Sequence, residues 1–425
     1  MLSLSHSKIR TTMELQKSIS KSQEDVALSF ANRLFSTEAY HNENIVFSPL
    51  SLHVALAIMA AGAHGSTLDE LLSFLRFDSV DHLNTIFSQV VSAVFSDNDD
   101  AAPPPTHRLS FANGMWVDKS LSLTHSFKQL VATHYKATLD SVDFWNKADQ
   151  VCDEVNLWVE KGTNGLIKEL LSPGAVDKTT RLIFANALHF KGEWEHKFLA
   201  RYSYSYRFHL LDGTSVVVPL MTNDEEQLIR VFDGFKILGL PYKQGTDEKR
   251  LFSMYILLPH AKDGLSDLIR KMASEPGFLE ASDVLKEFGV VSPFSQRDAD
   301  FTKMVKVNSP LDALSVESIF QKVFIKVNEQ GTEAAAATTL GLRGGGGPPP
   351  PGLEFIADHP FLFLIREDFS GTILFVGQVL NPLGGANGTT TPVKEDLGRK
   401  KRPGPVDNAE RSKKKYSDFE LEKNG

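Results

Sequence analysis

The sequence predicts an α+β fold in a single large domain, and three observations carry that reading. Apolar residues recur at helical spacing in the early part of the chain. Runs of strand length, alternating or wholly apolar, dominate the later part. No internal repeat and no regular strand–helix alternation is present, so helices and strands segregate instead of forming βαβ units. At 425 residues, 42% of them hydrophobic, the chain can bury a large core, and length alone would admit two or three domains. No change of composition divides residues 23–383, so one domain is expected there, between a leader (1–22) and a tail (384–425).

Ser22 is placed to cap a first helix whose buried stripe is Val26, Phe30 and Leu34, at steps of four. Ser48-Pro49 supplies a cap followed by proline at the first helical position, where the missing N–H costs nothing. The helix beyond it, Leu50 to Ala61, is apolar nearly all round and belongs in the interior. Gly62 and Gly65 are read as its end, and a third helix as starting near Ser66, with Leu68, Leu71, Leu72 and Leu75 on one side. Asp97 to His107, acidic and proline-rich, reads as a surface loop. Leu182 to Phe190 and Leu251 to Leu258 are apolar runs, as expected of strands covered on both faces. Ser318 to Val327 partly alternates and reads as a strand. Phe361–Ile365 and Thr372–Val376, on either side of Glu367-Asp368-Phe369-Ser370-Gly371, carry a hairpin signature.

Several chemistries are excluded. A net charge of −8 argues against general nucleic-acid affinity in the main domain. Cys152 is the only cysteine, so no internal disulfide can form, and the adjacent Asp153 and Glu154 would raise its thiol pKa, which argues against a nucleophile. The chain holds no HExxH, GxSxG, CxxC or Walker sequence, and the glycine run Gly344–Gly347 leads into four prolines instead of a helix start. No enzymatic site, metal or cofactor is therefore expected. His189 and His359, in apolar or strand-edge settings, read as hydrogen-bonded structural histidines. Met1–Arg10 lacks the apolar core of a secretory signal, and no apolar run reaches bilayer length. The expectation is a soluble monomer of the cytosol or nucleus, away from membranes, with export by another route left open.

The most informative stretch is Glu329-Gln330-Gly331-Thr332-Glu333-Ala334-Ala335-Ala336-Ala337-Thr338-Thr339. Alanine and threonine stand where a solvated loop would carry polar turn formers, and a segment without bulk can slide between strands without clashing. This run resembles the hinge of the serpins, protease inhibitors that work by loop insertion. Asn44–Leu52, Phe184–Trp194 and Ala357–Ile365 are similar to three further motifs of that family, and Asn113–Ser120 and Asp233–Tyr242 look like its plant branch. The resemblance covers roughly residues 23 to 383 and implies three β-sheets, about eight or nine helices, a metastable fold and an exposed reactive-centre loop at about 329–353. It implies a hinge at Glu329, Gly331, Thr332, Glu333, Ala334, Ala335, Ala336, Ala337 and Thr338, and shutter and breach residues Ser48, Ser51, Asn186, Trp194 and Gln321.

In the mechanism so implied, a protease nucleophile attacks the loop, an acyl-enzyme forms, and the freed upstream segment enters the main sheet as a new strand. Family spacing from Glu329 points to Gly345 as the residue before the cleaved bond, whereas Leu342-Arg343-Gly344 is similar to the triplet of plant relatives and points to Arg343–Gly344. Arg343 would suit trypsin-like serine proteases and metacaspase-like cysteine proteases; Leu342 would suit papain-like enzymes. Two features depart from the family. Gln321 stands where relatives place a histidine bonded to Asn186, although an amide can both donate and accept. Around Gly277–Val284, about 25 residues including an edge strand of the main sheet are missing relative to the family, leaving Ser318–Glu329 partly unpaired. A non-inhibitory interaction protein on the same scaffold is thus the alternative. In the tail, Arg399-Lys400-Lys401-Arg402 and Lys413-Lys414-Lys415 are spaced like a bipartite signal for a nuclear import receptor, with a solvated polyampholyte as the other reading.

Overall fold

The computed structural model describes residues 24, 26–36, 43–94, 107–222, 227–244, 250–272, 285, 289–306, 314–316, 318–325, 327–332 and 354–384. Among these, the helices are α1 (26–36), α2 (Pro49–Gly62), α3 (Gly65–Leu75), α4 (Val80–Val94), α5 (His125–Tyr135), α6 (Phe144–Gly162) and α7 (Leu265–Met272). Four of the seven precede the first long strand, the α+β segregation expected from the sequence. Val26, Phe30 and Leu34 of α1 are all buried, as their spacing predicts.

Two six-stranded sheets form the frame. The antiparallel one runs β1 (Ile45–Phe47), β16 (Thr372–Val379), β15 (Phe361–Glu367), β10 (Phe252–Pro259), β9 (Phe235–Pro241) and β8 (Leu228–Phe232). Its β15–β16 hairpin is the one read from the sequence, and the buried Glu367 carboxylate closes the turn by accepting the N–H groups of Phe369 and Ser370 at 3.2 and 2.7 Å. The main sheet is built on β5 (Leu182–Glu193). One edge of β5 pairs antiparallel with β2 (His107–Asp118), which pairs in turn with β4 (Thr138–Val142). Its other edge carries β12 (Ser318–Phe324) in parallel, and then the short β14 (Gly331–Thr332), which also pairs with β13 (Val327–Asn328). Two ribbons complete the strands among the described residues: β3 (Ser122–Leu123) with β11 (Val305–Lys306), and β6 (Tyr204–His209) with β7 (Ser215–Leu220).

The unbroken apolar character of β5 reflects its place between two cores. Leu182, Phe184, Leu188 and Phe190 face the main core, which also holds α2, a helix buried along its whole length. Ile183, Ala185 and Ala187 face a second core made with Val151, Val155 and Val159 of α6. Alternate residues of a strand point to opposite faces, so both faces had to be apolar. The helix starts follow local chemistry. Ser48 caps α2 by accepting the Ser51 N–H at 3.2 Å, with Pro49 in the first turn. Gly65, read from the sequence as ending α2, instead opens α3 with φ 55°, a left-handed conformation that glycine adopts without steric cost.

Asp143 caps α6, accepting the Asn146 N–H at 3.1 Å, and is also bonded by the Lys119 ammonium. Lys119 first, and then Asn146, hold its carboxyl down at about 2. A carboxyl lowered in the folded state stabilises above its unfolded value, and that contribution is lost as pH falls towards the folded value. Asp143→Ala is therefore expected to be less stable than the parent at pH 7, with the gap shrinking between about pH 4 and pH 2; chemical denaturation across that range checks it, and a gap independent of pH would contradict it.

Candidate functional site

The outer edge of β5 brings the described site residues together at two levels. At its upper end, the chain leaves β13 and turns back through Glu329 and Gln330 into β14. The Asn328 side chain builds this turn, its Oδ1 accepting the N–H groups of Gln330 and Gly331 at 2.9 and 3.2 Å. Trp194 fixes the turn to β5: its indole N–H donates to the Asn328 carbonyl at 2.9 Å and its backbone N–H to the Gln330 carbonyl at 3.0 Å. Glu329 accepts from the Ser203 hydroxyl at 3.0 Å through its carboxylate and from the Phe198 N–H at 2.9 Å through its carbonyl.

Gly331 and Thr332 lie opposite Glu193 and Gly192 of β5. A Cβ on Gly331 would sit 2.0 Å from the Gly192 carbonyl oxygen, so the approach requires glycine. Thr332 is fully buried, and its hydroxyl shares a 2.6 Å hydrogen bond with the Tyr242 phenol. Tyr242 stacks on Trp194 with ring centres 4.5 Å apart, and burial pushes its phenol far above the ordinary range, so it stays neutral. The first two residues of the β14 strand are thus already seated against β5.

Lower on the same edge, Gln321 lies directly opposite Asn186 in the parallel pairing of β12 with β5. The two side chains take different partners. Gln321 grips the main chain of Ser48, its Oε1 accepting the Ser48 N–H and its Nε2 donating to the Ser48 carbonyl, both at 2.9 Å. Asn186 donates through Nδ2 to Asn113 Oδ1 on β2. Ser48 and Gln321 thus share one pair of bonds, and Asn186 bonds across to Asn113. The amide of Gln321 matches one donor and one acceptor of a single peptide, and its reach favours the helix start over the neighbouring strand. Asn186 Oδ1, Asn113 Nδ2 and Ser51 Oγ are buried without a hydrogen-bond partner among the described residues.

Sequence reasoning attached no role to Asn113, Tyr242, Asn328 or Ser203, although Asn113 and Tyr242 lie in stretches it singled out. Their roles depend on which strand faces which, and that is not written in local spacing. Glu333, Ala334, Ala335, Ala336, Ala337, Thr338, Arg343, Gly344 and Gly345 lie outside the described residues, as do Lys401, Arg402, Lys413, Lys414 and Lys415 and the segment 273–284. His359 is buried with its ring nitrogens 2.7 Å from Asp358 Oδ1 and 2.9 Å from the Pro259 carbonyl, a structural arrangement. The Cys152 thiol is pushed up by burial first, and then by the nearby carboxylates Asp153, Asp149 and Glu169.

With this geometry in place, comparison with known proteins is direct. The family model described as serpin (serine protease inhibitor) matches residues 21–281 and 277–382. Serpin-ZX of Arabidopsis thaliana is 46% identical over 398 residues, 87% of this chain and 100% of the relative. Serpin-ZXA of Oryza sativa subsp. japonica is 49% identical over 369 residues, 80% of this chain and 90% of the relative. Among solved structures, Arabidopsis AtSerpin1 in its native stressed conformation superposes with a TM-score of 0.76 at 44% identity, covering 87% of this chain and 99% of that one.

The grip of Gln321 on Ser48 is open to test. Gln321→Leu keeps the bulk but leaves the Ser48 N–H without its acceptor, and is expected to cost about 1–3 kcal/mol by chemical denaturation. An unchanged midpoint would show that the two bonds contribute nothing net.

Proposed function

The chain belongs to the serpin family, and on that premise we propose that it is a suicide-substrate inhibitor of trypsin-like serine proteases and of papain-like or metacaspase-like cysteine proteases, cleaved at Arg343–Gly344. One observation carries the reading. Gly331 and Thr332 have already begun an antiparallel strand on β5, held by Trp194 and Tyr242, and the residues that follow them in sequence are almost all small. The protease nucleophile attacks the Arg343 carbonyl, the bond to the Gly344 nitrogen breaks, and the segment from Gly344 onward departs with the proton on its new amine. Arg343 stays bound to the enzyme through its carbonyl carbon, as an ester on a serine or a thioester on a cysteine. Extension of β14 along the twelve residues of β5 then carries the tethered protease on the order of 40 Å. Displacement of the oxyanion-hole and triad groups removes on the order of 10²–10⁴ in rate for each element lost, so deacylation stalls.

A second reading has its own support. Among the described residues β12 has a strand partner on one side only, and the family match breaks and resumes at 277–281. A main sheet short of an edge strand would favour cleavage without trapping, as in a non-inhibitory interaction protein on this scaffold. For the tail, the two basic clusters support recognition by a nuclear import receptor.

Incubation with trypsin and with a papain-like protease, followed by denaturing electrophoresis, separates the first two readings: a covalent complex supports inhibition, and clean cleavage supports the second. Arg343→Ala is expected to abolish the complex with Arg-specific proteases while leaving the unfolding midpoint unchanged; persistent trapping of trypsin would move the reactive bond elsewhere. In cells, replacing Lys413, Lys414 and Lys415 by alanine should shift a fluorescent fusion of the full chain from nucleus to cytosol, and an unaltered distribution would remove the import role.

A further inference from the structure

His53 is a titratable side chain set where an apolar residue would be expected, and no step of protease trapping uses it. It lies on α2, a helix buried along its whole length, and is 2% exposed. Its Nδ1 lies 2.7 Å from the Pro49 carbonyl one turn earlier. A carbonyl only accepts, so Nδ1 carries the proton of the neutral ring and Nε2 keeps a lone pair. That Nε2 is buried and has no hydrogen-bond partner among the described residues. The ring stacks on Phe87 of α4, with centres 6.3 Å apart and planes inclined by 22°.

α4 owes its place beside α2 to apolar packing. Leu83, Ile86, Phe87 and Val91 belong to the main core, and the Tyr135 hydroxyl of α5 donates to Asn84 Oδ1 at 2.6 Å. Among the described residues no hydrogen bond or ion pair joins α4 to α2. We propose that His53 is an acid-sensitive latch: neutral, its ring completes the α2–α4 contact, and protonated, it leaves that contact and separates α4 from α2. The second proton is the cause. Added at Nε2, it turns a tolerated lone pair into a buried charged donor with nothing to accept it, a far larger penalty than an unpaired neutral acceptor.

Burial pushes the ring down to about 4 from the ordinary 6.5, and the Pro49 carbonyl opposes that shift. The elements packed against α2 bring it no ionised partner. Asp69 of α3 and Asp81 and His82 of α4 are exposed, and Glu70 accepts the N–H groups of Val291 and Ser292 at 2.7 Å. On α5, His125 and Lys128 are exposed, His134 is half-buried, and burial keeps the Tyr135 phenol neutral. The ionisable positions of β5 and β12, namely His189, Lys191, Glu193 and Lys322, alternate with those that face the main core, and β16 has none. Between about pH 6.5 and pH 4 the unfolded chain therefore binds the His53 proton and the folded chain does not, so stability is lost as pH falls through that window.

The test uses the full chain, with His53→Gln and His53→Leu as two variants that cannot titrate at this position, so that a folding failure of one leaves the other. Unfolding constants are measured in urea from pH 7.5 to pH 4.5. The ratio of the parent's constant to the variant's is expected to be flat above about pH 7 and to rise roughly tenfold per pH unit from about pH 6 to pH 4.5. Hydrogen exchange at pH 5 then locates the opening. Relative to the variant at the same pH, amides of α4 should exchange about tenfold faster in the parent, while those of α6, packed in the second core, should not. A ratio independent of pH would overturn the latch. So would equal acceleration of α4 and α6, because the proton would then act on the whole fold and not on the α2–α4 contact.

Discussion

The structure turns on the divided outer edge of β5. Most interior strands have one neighbour on each side, and their hydrogen bonds are thereby used up. Here a single edge is shared, parallel β12 taking Ile183 to His189 and antiparallel β14 taking Gly192 and Glu193. Phe190 and Lys191 lie between the two ladders. Everything else in the main sheet supports that arrangement: β2 anchors the far edge along its length, while the two cores clamp β5 from both faces. A strand so held cannot turn or slip, because a shift of one residue would exchange the contents of the two cores.

Polar groups decide how firmly the two claimants sit. β14 is held by interlocking bonds through Trp194, Tyr242, Asn328 and Glu329, several of them buried. β12 is held by its ladder and by Gln321, which ties the middle of the strand to the start of α2. Between the two lies Asn186, half satisfied. Low dielectric strengthens each completed bond and raises the cost of each missing one. The edge thus combines completed bonds at its end with an incomplete set at its centre among the described residues.

The parts legible in the sequence are those governed by local periodicity and capping. Ser48-Pro49 marks the start of α2, the spacing of Val26, Phe30 and Leu34 gives the buried face of α1, and the run at Leu182 shows a strand covered on both sides. The Glu367–Gly371 turn shows its hairpin because the two strands are neighbours in the chain. Motif resemblance added the family, and with it the identity of Gly331 and Trp194 as residues to examine. The division of the polar network was not legible. Gln321 chooses a peptide 273 positions away over the asparagine opposite it, and that choice depends on the distance between β12 and α2, not on any spacing within β12.

By itself, then, the sequence determined which segments become helix or strand, which faces are apolar, and that a run of small residues follows a glycine pivot. These follow from each residue's own backbone preferences and hydrophobicity, which act over a few positions. Tertiary structure decided that β14 begins opposite Glu193, that Tyr242 receives Thr332, and that Asn186 Oδ1 is without a hydrogen-bond partner among the described residues. Each of these joins residues separated by tens to hundreds of positions, and only the packing of the two cores around β5 brings them within bonding distance.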